Sequence, residues 1–227
     1  MNKEERPKVG RPISNTPEQL LERLIQAAVD ILDEQAADAD LSVAQLALRA
    51  KVSKKTVYTV VASKEELIAH VIRHGAQVAT TMLDMPVTDA AGARQVLAAF
   101  VRDWMHFACG PQAVGIYVMA IRERSRYPAI GAAYYRSRDE HGLQQLAAWL
   151  RRMHGKQFCR AEDPVMTADL VLTMASAERQ RVLALGMDEP FTPEQQERRI
   201  GAILQFVFCE YARATGAAVG RLPHEAA

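Results

Sequence analysis

Apolar side chains recur along this chain at the spacing of a helix. Leu21, Leu24, Ile25, Ala28, Ile31 and Leu32 form one apolar stripe, and strict alternation of apolar and polar positions never lasts beyond a few residues. Between Pro17 and Gly75 there is neither glycine nor proline, and the stretch is rich in Ala, Leu, Gln, Glu and Lys, so it is strongly helix-permissive. Start signals cut it into four. Thr16-Pro17-Glu18-Gln19 combines an N-cap, a proline at the first helical position and a glutamine at the third, which is the pattern of a capping box. Ser42-Val43-Ala44-Gln45 and Ser63-Lys64-Glu65-Glu66 repeat that pattern, and Ser53 offers a cap for the segment between them. The prediction is a long helix from Pro17, short helices over 43–50 and 54–61, and a long helix from Lys64 past His74.

The remainder keeps this character. Prolines at 86, 111, 128, 164, 190 and 193 leave helix-sized gaps, and Asp163-Pro164 and Thr192-Pro193 are further starts. Within the gaps lie apolar sets such as Leu97, Phe100, Val101 and Trp104, or Ile203, Val207 and Tyr211. The predicted fold is all-α with about nine helices and no internal repeat. The last two helices, predicted over 164–185 and 193–214, are apolar on more than one face, as in a helix that is central to a domain or meets a partner.

With 227 residues the chain suits one or two domains and buries enough surface to need no staple. No apolar run approaches the ~20 residues of a membrane span, and residues 1–12 lack the apolar segment of a secretory signal. Cys109, Cys159 and Cys209 lack the spacing of a zinc site or a disulfide framework. These features predict a reduced, cytoplasmic protein with no membrane association, metal or cofactor. His70 and His74 stand four apart on one helix without a third ligand nearby, so they read as ordinary histidines. No nucleophile elbow, Gly-rich phosphate loop or HExxH is present, and the chain is expected not to be an enzyme.

Charge is more informative than its total. Lys and Arg number 28 against 27 Asp and Glu, a net +1. Yet residues 16–40 carry seven acids against Arg23, whereas Arg49, Lys51, Lys54, Lys55 and Lys64 form a stretch without any acid. Residues 1–15, read as a flexible arm, add Lys3, Arg6, Lys8 and Arg11. Such a cluster is either a solvated face or a phosphate-binding surface. Two short helices around a tight turn are also the helix-turn-helix arrangement, whose second helix enters the major groove. If Val57 and Val61 pack inward on Leu46 and Ala47, then Lys55, Thr56, Tyr58 and Thr59 face outward beside Lys54. Ser42 and Lys64 sit at helix N-termini suited to phosphate.

Leu41-Ser42-Val43, Leu46-Ala47, Val52-Ser53-Lys54-Lys55-Thr56-Val57-Tyr58 and Ser63-Lys64-Glu65-Glu66-Leu67 together resemble the DNA-binding domain of TetR-type transcriptional regulators. Arg122–Tyr135, reading RERSRYPAIGAAYY, resembles the AefR-like C-terminal domains found in part of that family. The resemblance implies a helix-turn-helix domain over 16–62, a helical ligand-binding and dimerisation domain over 63–217, and a tail over 218–227. It further implies a homodimer on a palindromic double-stranded DNA operator, acting as a repressor released by a small effector. Lys8, Arg11, Ser42, Lys54, Lys55, Thr56, Tyr58, Thr59 and Lys64 are the expected DNA contacts. Val9-Gly10-Arg11-Pro12 is similar to a minor-groove arm, a role weighed evenly against that of a solvated tail.

Two departures stand out. Lys51 occupies the turn position where the family usually has glycine, so a differently shaped turn is one expectation. Val60 and Val61 replace an aromatic or histidine pair, which removes a phosphate contact common in the family.

In the larger unit the chain's aromatic residues concentrate in the middle third. Trp104, Phe107, Tyr117 and Tyr134, with Arg122 as a polar member, are the expected ligand contacts. Each is also explained as core filler. Leu172 and Phe206 are the expected dimer contacts. The rival reading is a helical protein–protein interaction module whose basic patch meets an acidic partner.

Overall fold

A computed structural model describes residues 16–35, 41–187 and 190–208. Its α-helices are α1 (Pro17–Gln35), α2 (Val43–Arg49), α3 (Lys54–Val57), α4 (Lys64–Thr80), α5 (Ala90–Ala108), α6 (Pro111–Arg122), α7 (Pro128–Ser137), α8 (Gln144–Gly155), α9 (Pro164–Leu172), α10 (Glu178–Ala184) and α11 (Pro193–Val207). A π turn over Arg138–Leu143 joins α7 to α8 without a break, and another over Thr173–Ala177 joins α9 to α10. Eleven α-helical stretches therefore make nine continuous rods among the described residues, and no strand is present there.

The local start signals operate as their chemistry requires. Thr16 and Gln19 exchange both hydrogen bonds of a capping box, as do Thr192 and Gln195. Ser42, Ser53 and Ser63 each accept from the N–H three residues on. The boxes at Ser42 and Ser63 are not closed reciprocally. Gln45 Oε1 is buried without a partner, and the Glu66 carboxylate reaches past Ser63 to accept from the Ala62 N–H at 2.5 Å.

Helix α3 is shorter than the pattern predicts. Regular α-helix ends at Val57, and the chain reaches Val61 through tight turns in which Thr59 and Val60 donate to the carbonyls three residues back, each at 3.1 Å. Thr56, Val57, Thr59, Val60 and Val61 are all β-branched, and their low helix propensity favours this tighter winding. The predicted extension of the last helix to Ala214 and the tail over 218–227 lie outside the described residues.

Two cores form. One unites Leu24, Ile31, Leu46, Val57 and Ile68 with Ile116 and Met119 of α6 and Ile130 of α7, so the N-terminal unit is closed by helices of the larger one. The other gathers Leu97, Phe100, Trp149, Leu172 and Ile203 from α5, α8, α9 and α11. Helix α4 gives Leu67, Ile68, Val71 and Ile72 to the first core and Ala79 to the second, and thereby spans both.

Candidate nucleic-acid interface and internal cavity

The turn between α2 and α3 is built as a Schellman motif. The Val52 N–H bonds the Ala47 carbonyl at 2.9 Å and the Lys51 N–H bonds that of Leu48 at 3.2 Å. That closure requires a left-handed residue at Lys51, and its φ is 55°. The missing glycine has therefore not reshaped the turn; the lysine adopts the glycine conformation, at a cost of about 1–2 kcal/mol.

Beyond the turn, Val57 and Val61 are buried in one core with Leu46 and Ala47. The opposite face presents Lys54, Lys55, Tyr58 and Thr59 to solvent, Tyr58 being 56% exposed. Thr56 is half-buried, its hydroxyl 2.8 Å from that of Ser53. The Thr59 hydroxyl donates to the Thr56 carbonyl at 2.6 Å, which leaves its lone pairs to accept. Ser42 accepts from the Gln45 N–H at 3.2 Å and keeps its own proton to donate. Lys64 is half-buried, with its ammonium 6.0 Å from the Tyr127 ring centroid. Both arms of the Arg49 guanidinium bind Glu34 and hold that carboxyl below the usual range. Lys8 and Arg11 lie outside the described residues.

The 17 residues of α4 carry this geometry into the larger unit. Ile72 lines an internal cavity of about 70 Å³, together with Trp104, Phe107 and Ala108 of α5, Ala113 of α6 and Tyr134 of α7. Both π turns reach the same space, Arg138 from the first and Thr173, Ser176 and Ala177 from the second, and Leu172 and Gln180 complete the wall. The cavity's polar groups are tied together. Tyr134 donates to Gln180 Oε1 at 2.9 Å, Gln180 donates to the Ala108 carbonyl at 2.6 Å, and Arg138 pairs with Asp169 at 2.9 Å. Burial pushes the Tyr134 phenol up to about 12. The Trp104 indole N–H is buried and has no partner among the described residues.

Of the expected ligand contacts, Trp104, Phe107 and Tyr134 come together on this wall. Tyr117 packs against Tyr134, with ring centroids 5.7 Å apart, and does not line the cavity. Arg122 does not belong to it. Ala113 touches the cavity from the first turn of α6, whereas Arg122 ends that helix nine residues, about 13 Å, further along, exposed and bound to Glu123 at 3.3 Å. Leu172 requires a second correction. It is 1% exposed, packed in its own protomer's core, so it has no surface to offer a partner. Phe206 is 44% exposed, as an interface residue must be. Arg138, Thr173, Ser176 and Gln180 carried no signal in the sequence, because their shared wall comes from helices far apart in the chain.

Among the described residues no group of His, Cys, Asp and Glu has the geometry of a metal site, and no helix is long and apolar enough to cross a membrane.

The fold is similar to that of several solved structures. A TetR-family transcriptional regulator from Mesorhizobium loti superposes with a TM-score of 0.66 at 20% identity, covering 85% of this chain and 96% of that one. The flavonoid-responsive regulator FrrA gives 0.58 at 28% identity, covering 83% and 95%. RolR in complex with resorcinol gives 0.59 at 17% identity, covering 85% and 89%. No curated protein matches the chain. Residues 95–213, just over half of its length, match the family of AefR-like transcriptional repressors through their C-terminal domain. With the helix-turn-helix unit in front of that domain and TetR regulators as its structural neighbours, the chain belongs to the TetR-type transcriptional regulators of the AefR-like group.

Proposed function

We propose that this chain is a cytoplasmic, effector-responsive repressor that binds a two-fold symmetric DNA operator as a homodimer. The observation that carries the reading is the continuity of α4, which begins at Lys64, three residues after the buried Val61, and lines the internal cavity at Ile72. Lys54, Lys55, Thr56, Tyr58 and Thr59 read the major groove, with Lys55 donating to guanine and the threonine methyls and hydroxyls contacting base edges. Ser42 and Lys64 hold phosphates, and Lys8 and Arg11 of the N-terminal arm add to the minor-groove side. The exposed Phe206, together with Met166 and Leu170 of α9, supports an apolar dimer face on the last helices.

The effector site is built around this cavity, on Trp104, Phe107 and Tyr134, and takes an aromatic molecule. Two structural relatives support this class, one named for its response to flavonoids and one crystallised with resorcinol. An effector that favours a dimer with displaced α3 helices weakens DNA binding by the same free energy with which DNA weakens effector binding. The test is fluorescence anisotropy of the full chain on DNA from upstream of its own gene, against scrambled DNA, across a salt series. The expected result is selective binding whose logarithm falls linearly with the logarithm of salt concentration. Equal, weak binding to both DNAs, followed by failure of a random-sequence selection to yield an operator, would overturn it and leave the basic patch to an acidic protein partner.

A further inference from the structure

The internal cavity is too small for the site it is assigned to. Small-molecule pockets run at roughly 300–1,000 Å³, and this one offers about 70 Å³. A groove of about 480 Å³ lies immediately outside, between α1, α4, α5 and the start of α6. Phe107 is a wall of both spaces. It also packs against both hydrophobic cores. Its ring rests on Gly75 of α4 so closely that a Cβ there would stand 2.5 Å from Cε2, so the seat exists only because residue 75 is glycine. On the inner side the ring meets Trp104 edge-on, with centroids 5.5 Å apart. The benzo edge of Trp104 is in turn pressed onto Gly142 of the first π turn, where a Cβ would lie 2.4 Å from Cη2.

We infer that the effector site is the two spaces together, joined when the Phe107 ring leaves Gly75, and that it takes an elongated, oxygenated aromatic molecule. This rests on the effector reading above and adds to it the shape and chemistry of the ligand. One ring of the ligand occupies the inner space, and an oxygen on it accepts from the Trp104 N–H. Trp149 also has a buried, unpartnered N–H, but it stands in the packed core away from the cavity. The second part of the ligand lies in the outer groove. That groove carries Asp33, Asp103, His74 and His106 and, among the described residues, no lysine or arginine, so an anionic substituent there is disfavoured. The groove also contains the contact between the Gln112 amide of α6 and the Asp33 carboxylate of α1, at 3.1 Å, so its occupant bears directly on the N-terminal unit.

The experiment is calorimetric titration of the full chain with phenol, para-phenylphenol, biphenyl and the para-carboxylate of para-phenylphenol, with operator release followed separately. Para-phenylphenol is expected to bind at least about tenfold more tightly than phenol, because its second ring adds buried apolar area. The carboxylate is expected to bind about fivefold more weakly than para-phenylphenol. Trp104→Phe is expected to weaken para-phenylphenol about fivefold and to leave biphenyl unchanged, as removal of one hydrogen-bond donor does. Phe107→Leu keeps an apolar side chain while loosening the wall, and is expected to tighten binding of the two-ring probes without weakening phenol. Binding of phenol with exclusion of para-phenylphenol from the unaltered protein would overturn the two-chamber site even if phenol released the operator. Tight binding of para-phenylphenol with no effect on DNA would uphold the site and remove the regulatory reading instead.

Discussion

Lys51 gives a test in which geometry and energy are directly linked. Its φ of 55° places an L-residue in the left-handed region, and the two Schellman hydrogen bonds hold it there. Replacing it with glycine removes a conformational cost of about 1–2 kcal/mol. Glycine's larger freedom in the unfolded chain takes back about 0.5–1 kcal/mol, so Lys51→Gly is expected to stabilise the protein by about 0.5–1 kcal/mol. For a chain of this size that corresponds to a rise in melting temperature of roughly 2–3 °C. Lys51→Ala is the control, since it removes the same side chain and charge but keeps the Cβ that makes the conformation costly. Both variants are compared with the parent by chemical and thermal unfolding without DNA, at one fixed protein concentration, because dimerisation makes stability concentration-dependent. If Lys51→Gly proves no more stable than Lys51→Ala, the left-handed strain is not a real cost and the argument for this turn fails. Gln157, at φ 61° in an equivalent closure after α8, offers a second position for the same comparison.

Other outcomes follow from where the remaining side chains lie. Lys64→Ala should weaken binding to every DNA sequence and lower the salt slope by about one, whereas Lys55→Ala should relax base preference at one position; both are read by anisotropy on operator and scrambled DNA. Phe206→Glu should give a folded monomer with reduced operator affinity, seen by sedimentation and circular dichroism. Leu172→Ala should instead cost about 2–5 kcal/mol of stability without a specific effect on association, because that side chain is enclosed in the core. Burial pushes the Cys109 thiol up to about 11, above its ordinary value near 9. The unfolded chain therefore ionises first, so stability should fall as pH rises from about 9 to 11, and Cys109→Ala should flatten part of that decline in melting temperature.

Much of this protein was legible because its signals are local. A cap needs only a hydroxyl or carboxylate and an N–H two or three residues on, so Thr16, Ser42, Ser53, Ser63, Asp163 and Thr192 mark helix starts wherever the chain later goes. The reader face was legible for a similar reason, since inward Val57 and Val61 leave only one direction for Lys55 and Tyr58 within so short a segment. The residue at 51 was identifiable as a departure, yet whether the turn or the lysine would yield depended on the hydrogen bonds that close α2.

Where several surfaces compete, periodicity had no answer. Leu172 and Phe206 both sit on helices that are apolar on more than one side, and only packing against α5 and α8 decides that the first is core and the second is outside. The cavity was the least visible feature. Its wall is drawn from α4, α5, α6, α7, α9, α10 and two π turns, and its position depends on an indole meeting Gly142 and a phenyl ring meeting Gly75. The sequence by itself determined the helices and the outward face of α3, because those follow from contacts within a few residues. The tertiary structure decided the inner space and the seat of Phe107 on Gly75 beside it, because close packing of side chains distant in the chain is settled only when the helices meet.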